Sequence, residues 1–233
     1  MEWINKGMIL AAGFGTRLRP ITDKIPKALV EVGGVRLVEY GIYMFRKYGI
    51  DEIVINLHHM GNMIREFLGD GKRYGVKIAY SEEKEILGTA GGIRHALPLL
   101  GDSPFLVTNV DVIADVPIDR LILTHFSHRS VATLVVKRHE EGYTPISTKG
   151  GRVVAIGEGD RMYAGIQILE PSYISRIPDG RFLNLFVDIL NPKEGVEIRA
   201  YDYEGFWRDA GDIKTLDILV SESSLLSEEL SYL

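Results

Sequence analysis

Short apolar runs of strand length recur along the first half of this chain, and each gives way to small or polar residues. Met8-Ile9-Leu10-Ala11, Ile53-Val54-Ile55-Asn56, Val76-Lys77-Ile78-Ala79-Tyr80 and Phe105-Leu106-Val107-Thr108-Asn109 are of this kind. Strands buried on both faces read as near-continuous apolar runs, and parallel sheets covered by helices are where such strands occur. Helical spacing fills the gaps. Over residues 37–47, Val38, Gly41, Ile42 and Phe45 share one face, and 62–68 and 91–97 are shorter candidates. This alternation confines the chain to an α/β fold with right-handed crossovers.

The second half has a different rhythm. Val131 to Val136, Val153 to Ile156 and Tyr163 to Ile168 follow with little helix between the last two, and Gly150-Gly151 predicts a hairpin or wide turn. The sheet is therefore expected to become mixed, with antiparallel strands at one side. Val196 to Tyr201 is a further strand, and Asp212 after Gly211 is an expected N-cap for a last helix. No linker or repeat interrupts the chain, so residues 1–233 are read as a single domain.

Ligands of open α/β sheets sit beyond the carboxyl ends of the parallel strands, so the loops there are the places to look for chemistry. The first is Leu10-Ala11-Ala12-Gly13-Phe14-Gly15-Thr16-Arg17-Leu18-Arg19-Pro20. Its glycines suit backbone N–H groups approaching phosphate oxygens. It is not a dinucleotide fingerprint, because position 18 is Leu and Pro20 would interrupt the helix; nor is it a P-loop, because Gly-Lys-Ser/Thr is missing. Lys27, in Pro26-Lys27-Ala28-Leu29-Val30, adds a third cation to Arg17 and Arg19. In a chain of net charge −5, cations gathered at one glycine loop favour anion binding there. The same net charge argues against nucleic acid or anionic membranes as partners. The chain has no cysteine, which excludes thiolate sites and disulfides, and no apolar run long enough to span a membrane; a cytoplasmic location is expected.

Together these two segments resemble the signature of the sugar-nucleotide pyrophosphorylases, the sugar-1-phosphate nucleotidyltransferases. The likeness continues through Leu87-Gly88-Thr89-Ala90-Gly91-Gly92, Asn109-Val110-Asp111 and Trp207-Arg208-Asp209-Ala210-Gly211. The short form resembles N-acetylmuramate-1-phosphate uridylyltransferases and the smaller mannose-1-phosphate guanylyltransferases. The resemblance implies a Rossmann-like three-layer fold around a mostly parallel mixed sheet, with no C-terminal β-helix domain. It implies Mg2+-dependent transfer of a nucleotidyl group from an NTP to a sugar 1-phosphate, releasing pyrophosphate. It assigns nucleotide binding to Leu10, Ala11, Ala12, Gly13, Gly15, Thr16, Gly88 and Gly91, catalysis to Arg17, Lys27, Asp111 and Asp209, the metal to Asp111 and Asp209, and sugar contacts to Glu158 and Gly165. The oligomeric state is left open, a homo-oligomer included.

The chemistry is consistent with that assignment. A magnesium ion prefers a couple of carboxylates plus waters and substrate phosphates. A sugar phosphate is already an anionic nucleophile, so no catalytic histidine, serine or cysteine is expected. The enzyme's task is to bring two anions into line. The chain also departs from the family pattern. Val110-Asp111 stands where many relatives have Gly-Asp. Gly157-Glu158-Gly159-Asp160-Arg161 replaces a Glu-Lys-Pro segment, leaving Arg161 as a guess for its lysine. Two alternatives remain: a phosphocholine-type cytidylyltransferase, for which no aromatic cage is evident in the sequence, and an inert paralogue that senses NDP-sugars. The pairs His58-His59 and His125/His128 read as caps or surface groups rather than a zinc site, and Trp207 and Phe206 as core.

Overall fold

The structure, a computed structural model, describes residues 3–190, 192, 196–223, 226 and 230. The first half holds β1 (Lys6–Leu10), β2 (Glu31–Val32), β3 (Val35–Arg36), α1 (Leu37–Lys47), β4 (Glu52–Leu57), α2 (Gly61–Leu68), β5 (Lys77–Glu82), α3 (Gly88–Leu100), β6 (Phe105–Asn109) and β7 (Val112–Ala114). The second holds α4 (Ile118–His128), β8 (Ala132–Arg138), β9 (Pro145–Lys149), β10 (Arg152–Ile156), β11 (Arg161–Leu169), α5 (Pro171–Ile174), β12 (Ile198–Asp202), β13 (Trp207–Asp209) and α6 (Ile213–Ser221).

The main sheet runs β5-β4-β1-β6-β11-β8-β12-β10-β9. Its first four strands are parallel. β11 runs antiparallel to both β6 and β8, and the β9–β10 hairpin closes the far side. The expected mixed sheet is thus present, and its register explains the apolar runs. Met8 of β1 faces a core with Ile93, Ala96 and Leu100 of α3, while Ile9 faces another with Val38, Ile42 and Phe45 of α1. Side chains alternate across a strand, so a strand needs apolar residues at every position when helices cover both faces. Burying a side chain such as Phe45, fully enclosed, contributes about 1.5–3 kcal/mol.

α1 occupies the span read from its spacing, and Asp212 caps α6, its Oδ1 accepting from the Thr215 N–H at 2.9 Å. The ribbon of β7 and β13 was not foreseen. Three-residue strands have no period to read, yet their pairing sets Asp209 opposite Val112. The chain passes from β1 to β4 and β5 on one side, then returns to β6 on the other. That reversal opens a crevice above β1, the place where open α/β sheets bind ligands.

Candidate active site

On one flank of β1, the Ala11 N–H donates to Asn56 Oδ1 (2.8 Å) and Asn56 Nδ2 donates to Glu83 Oε1 (2.7 Å). The Leu87 N–H in turn donates to Glu83 Oε2 (2.9 Å). This buried chain ties the carboxyl ends of β1, β4 and β5 to the start of α3, and rigidifies the loop because every member has a partner. Neither Asn56 nor Glu83 was singled out from the sequence. Asn56 closes an apolar run, a usable signal; Glu83 sits in Ser-Glu-Glu-Lys-Glu, which reads as solvated charge.

The other flank is ionic. Asp111 follows β6, and the Lys27 ammonium pairs with its Oδ2, both side chains largely buried. The Ala210 N–H donates to the Asp111 carbonyl at 2.8 Å, so the β7–β13 ribbon delivers Asp209 beside Asp111. Burial and the Asp111 charge raise the Asp209 pKa to about 6, against the lowering influence of Lys27, the Gly211 N–H and Arg17.

Between the flanks lies a cleft of about 420 Å³. Leu10, Ala11, Ala12, Gly13, Gly15, Thr16, Arg17, Lys27, Gly88 and Asp111 all line it, joined by Asn56, Glu83, Phe182 and Asn184. Gly91 is buried behind it. A Cβ on Gly91 would stand 2.2 Å from the Arg181 carbonyl, and one on Gly88 2.6 Å from that of Leu183. The two glycines let a strap, residues 181–185, cross the first turn of α3.

A second pocket of about 150 Å³ adjoins the cleft, sharing Asn109 with it and lined by Asp209, Gly165 and four aromatic residues, Tyr143, Tyr163, Phe186 and Trp207. Tyr143 packs edge-on against Trp207 at 5.7 Å between ring centroids, and Tyr163 lies 4.6 Å from Phe186. Trp207 is core as read, its Nε1 donating to the Ala164 carbonyl at 2.7 Å, but one part of it faces this pocket. The Tyr163 hydroxyl is buried with no partner among the described residues; burial first, then the Asp111 charge, raises its pKa and keeps it a neutral donor. These aromatics lie far apart in sequence, which is why no cluster was legible there.

Glu158 is exposed and lines neither cavity. Arg161 is engaged by Asp202 at 2.9 Å and Asp160 at 3.0 Å. His58 Nδ1 lies 2.9 Å from the Glu83 carbonyl, His58 and His59 pack against Phe14, and His125 is bonded within the core. Among the described residues, no three His, Cys, Asp or Glu side chains gather as a metal site, and no helix is long and apolar enough to cross a membrane.

The sequence profile of the nucleotidyl transferases matches residues 6–159, more than half of the chain. The chain belongs to the nucleotidyl transferase family. The resemblance carried by the Leu10–Pro20 and Pro26–Val30 segments is borne out. Among curated relatives, the N-acetylmuramate α-1-phosphate uridylyltransferase of Neisseria meningitidis serogroup B is 36% identical, covering 89% of this chain and 94% of that protein. The mannose-1-phosphate guanyltransferase of Aspergillus oryzae is also 36% identical over 90% of this chain, which spans 61% of that longer protein. Among solved structures, the inositol-1-phosphate CTP transferase of T. maritima superposes with a TM-score of 0.81 at 19% identity, covering 98% of each chain. That likeness is one of fold. In this family member the glycine loop follows the carboxyl end of β1 and Asp111 follows that of β6, with Asp209 beside it on β13 of the antiparallel ribbon.

Proposed function

We propose that this nucleotidyl transferase joins an NTP to a sugar 1-phosphate, with Mg2+, releasing pyrophosphate. One observation carries the reading: Arg17, Lys27, Asp111 and Asp209 converge where the larger cleft meets the smaller pocket. The larger cleft takes the nucleotide and the smaller pocket the acceptor, so both phosphates meet at that junction. An oxygen of the sugar phosphate attacks the α-phosphorus, the bond from the α-phosphorus to the bridging oxygen breaks, and pyrophosphate leaves with that electron pair. The nucleophile is already anionic, so no proton has to be abstracted. Arg17 and Lys27 bind and orient the phosphates and offset the charge that builds up on the leaving group.

The donor set suits a hard divalent ion. Asp111 and Asp209 bring carboxylate oxygens together where burial, and then the Asp111 charge, raise the Asp209 pKa, and Lys27 pairs with Asp111. Bound there, Mg2+ would supply charge neutralisation between the two phosphates. Neutral hydroxyl donors and aromatic faces in the smaller pocket, Tyr163 and Trp207 among them, suit a sugar ring.

A second reading draws on the same aromatic cluster. Four rings beside a carboxylate also suit a quaternary ammonium, and hence phosphocholine with CTP. The deciding experiment is pyrophosphate release with Mg2+ over a matrix of NTPs and acceptors. UTP and GTP, with N-acetylmuramate 1-phosphate and mannose 1-phosphate, come first because the relatives named above set them. Release that requires one sugar 1-phosphate establishes the proposal; release with CTP and phosphocholine replaces it with the second reading; silence with an NDP-sugar still binding points to an inert sensor.

A further inference from the structure

We infer that Phe182 is the surface on which the nucleobase of the substrate stacks; the inference rests on reading the larger cleft as the nucleotide site. Phe182 is 66% exposed, the most exposed large apolar side chain among the described residues, and it stands in the lining of the cleft. Its backbone is nevertheless held. The Leu183 N–H donates to the Leu87 carbonyl (2.9 Å), the Ala90 N–H to the Leu183 carbonyl (3.0 Å), and the Leu185 N–H to Thr89 Oγ1 (2.9 Å). The ring is thus presented from an anchored strap, and it lines the cleft beside Gly88, where a Cβ would lie 3.3 Å from its Cε2.

Strand order gives the cleft a direction. Asp111 and Lys27 lie on the β6 side of β1, while Asn56 and Glu83 lie on the β4 and β5 side, and Phe182 reaches in from the strap on that same side. A triphosphate drawn to Arg17 and Lys27 therefore leaves its base at the Phe182 end. There the buried, mutually bonded Asn56 and Glu83 line the wall of the cleft, and the aromatic ring offers a face. Stacking tolerates any base, because every base has a π-face. The chain continues from the strap to Phe186, which packs on Tyr163 in the smaller pocket, so one segment touches both proposed substrates.

Calorimetric titration of the full chain with UTP, with GTP and with inorganic tripolyphosphate tests this, using Phe182→Ala and Phe182→Tyr. Phe182→Ala is expected to weaken NTP binding by ~5- to 150-fold. Tripolyphosphate affinity stays unchanged, Phe182→Tyr binds like the parent, and the loss appears in the NTP KM rather than in kcat. Unchanged NTP affinity in Phe182→Ala overturns the inference. So does an equal loss of tripolyphosphate binding, which would make the residue a prop for the strap. If the parent protein binds tripolyphosphate and no NTP, the nucleotide reading of the cleft fails together with it.

Discussion

Asp111 and Asp209 show how little a single residue says without its neighbours. Either aspartate read alone is an ordinary turn residue; in the fold, burial and the neighbouring Asp111 charge raise the Asp209 pKa to about 6, and Lys27 pairs with Asp111. Asp111→Asn keeps the size and most of the hydrogen bonding while removing the charge. Turnover is expected to fall by at least ~100-fold, the scale of losing one preorganised electrostatic contact, with an unchanged circular dichroism spectrum. Native turnover in that variant would remove Asp111 from the catalytic set. Tyr163 makes a complementary case. Its hydroxyl is buried and unpartnered among the described residues, so Tyr163→Phe costs the fold little. The acceptor KM should rise by ~5- to 10-fold while the NTP KM stays put, the effect of one neutral hydrogen bond; equal acceptor KM values would show that the hydroxyl faces no substrate.

Elements meet at two places where the chemistry of packing is testable. α4 docks on the sheet through His125, whose Nδ1 lies 2.9 Å from Thr133 Oγ1 and whose Nε2 lies 3.2 Å from Glu170 Oε1. Burial outweighs that carboxylate and pushes the His125 pKa down to about 4. The folded state then binds fewer protons than the unfolded chain between the unfolded value, ~6.5, and about 4. Stability is full above that window and falls as pH drops through it. Urea unfolding should show wild type losing about 2 kcal/mol more between pH 7 and pH 5 than His125→Gln does; identical pH slopes would show that His125 binds its proton equally well in the folded and unfolded chain. The second place is the crossing of the strap over α3. Gly91→Ala drives a Cβ against the Arg181 carbonyl, and the strap has to shift. The expected cost is about 1–3 kcal/mol in unfolding free energy, with a higher NTP KM; a variant as stable as the parent would mean that the strap yields freely.

The whole molecule divides its labour between the two halves of one sheet. Parallel strands β5, β4, β1 and β6 end at the cleft read as the nucleotide site, and the bulged antiparallel strand β11 floors the pocket read as the acceptor site. That division predicts separable kinetics: Glu83→Gln should change the NTP KM and leave the acceptor KM alone, the reverse of Tyr163→Phe. One variant moving both constants together would refute the partition. With a net charge of −5, attraction of two anionic substrates falls to the local cations at the junction, not to the protein's overall field. Much of this was legible beforehand. The apolar runs fixed a helix-covered parallel sheet, because only strands buried on both faces need apolar residues at every position. Contiguous motifs such as Leu10–Pro20 and Pro26–Val30 fixed the family, because a phosphate loop is built from neighbours in the chain. What tertiary structure alone decided is every feature assembled across distance. The β7–β13 ribbon sets Asp209 beside Asp111, the Asn56–Glu83 chain links three strand ends, and a strap places Phe182 over a glycine turn. Each joins residues too far apart for any local period to record them, and Glu158, near its expected segment in sequence, is left outside both cavities by the same folding.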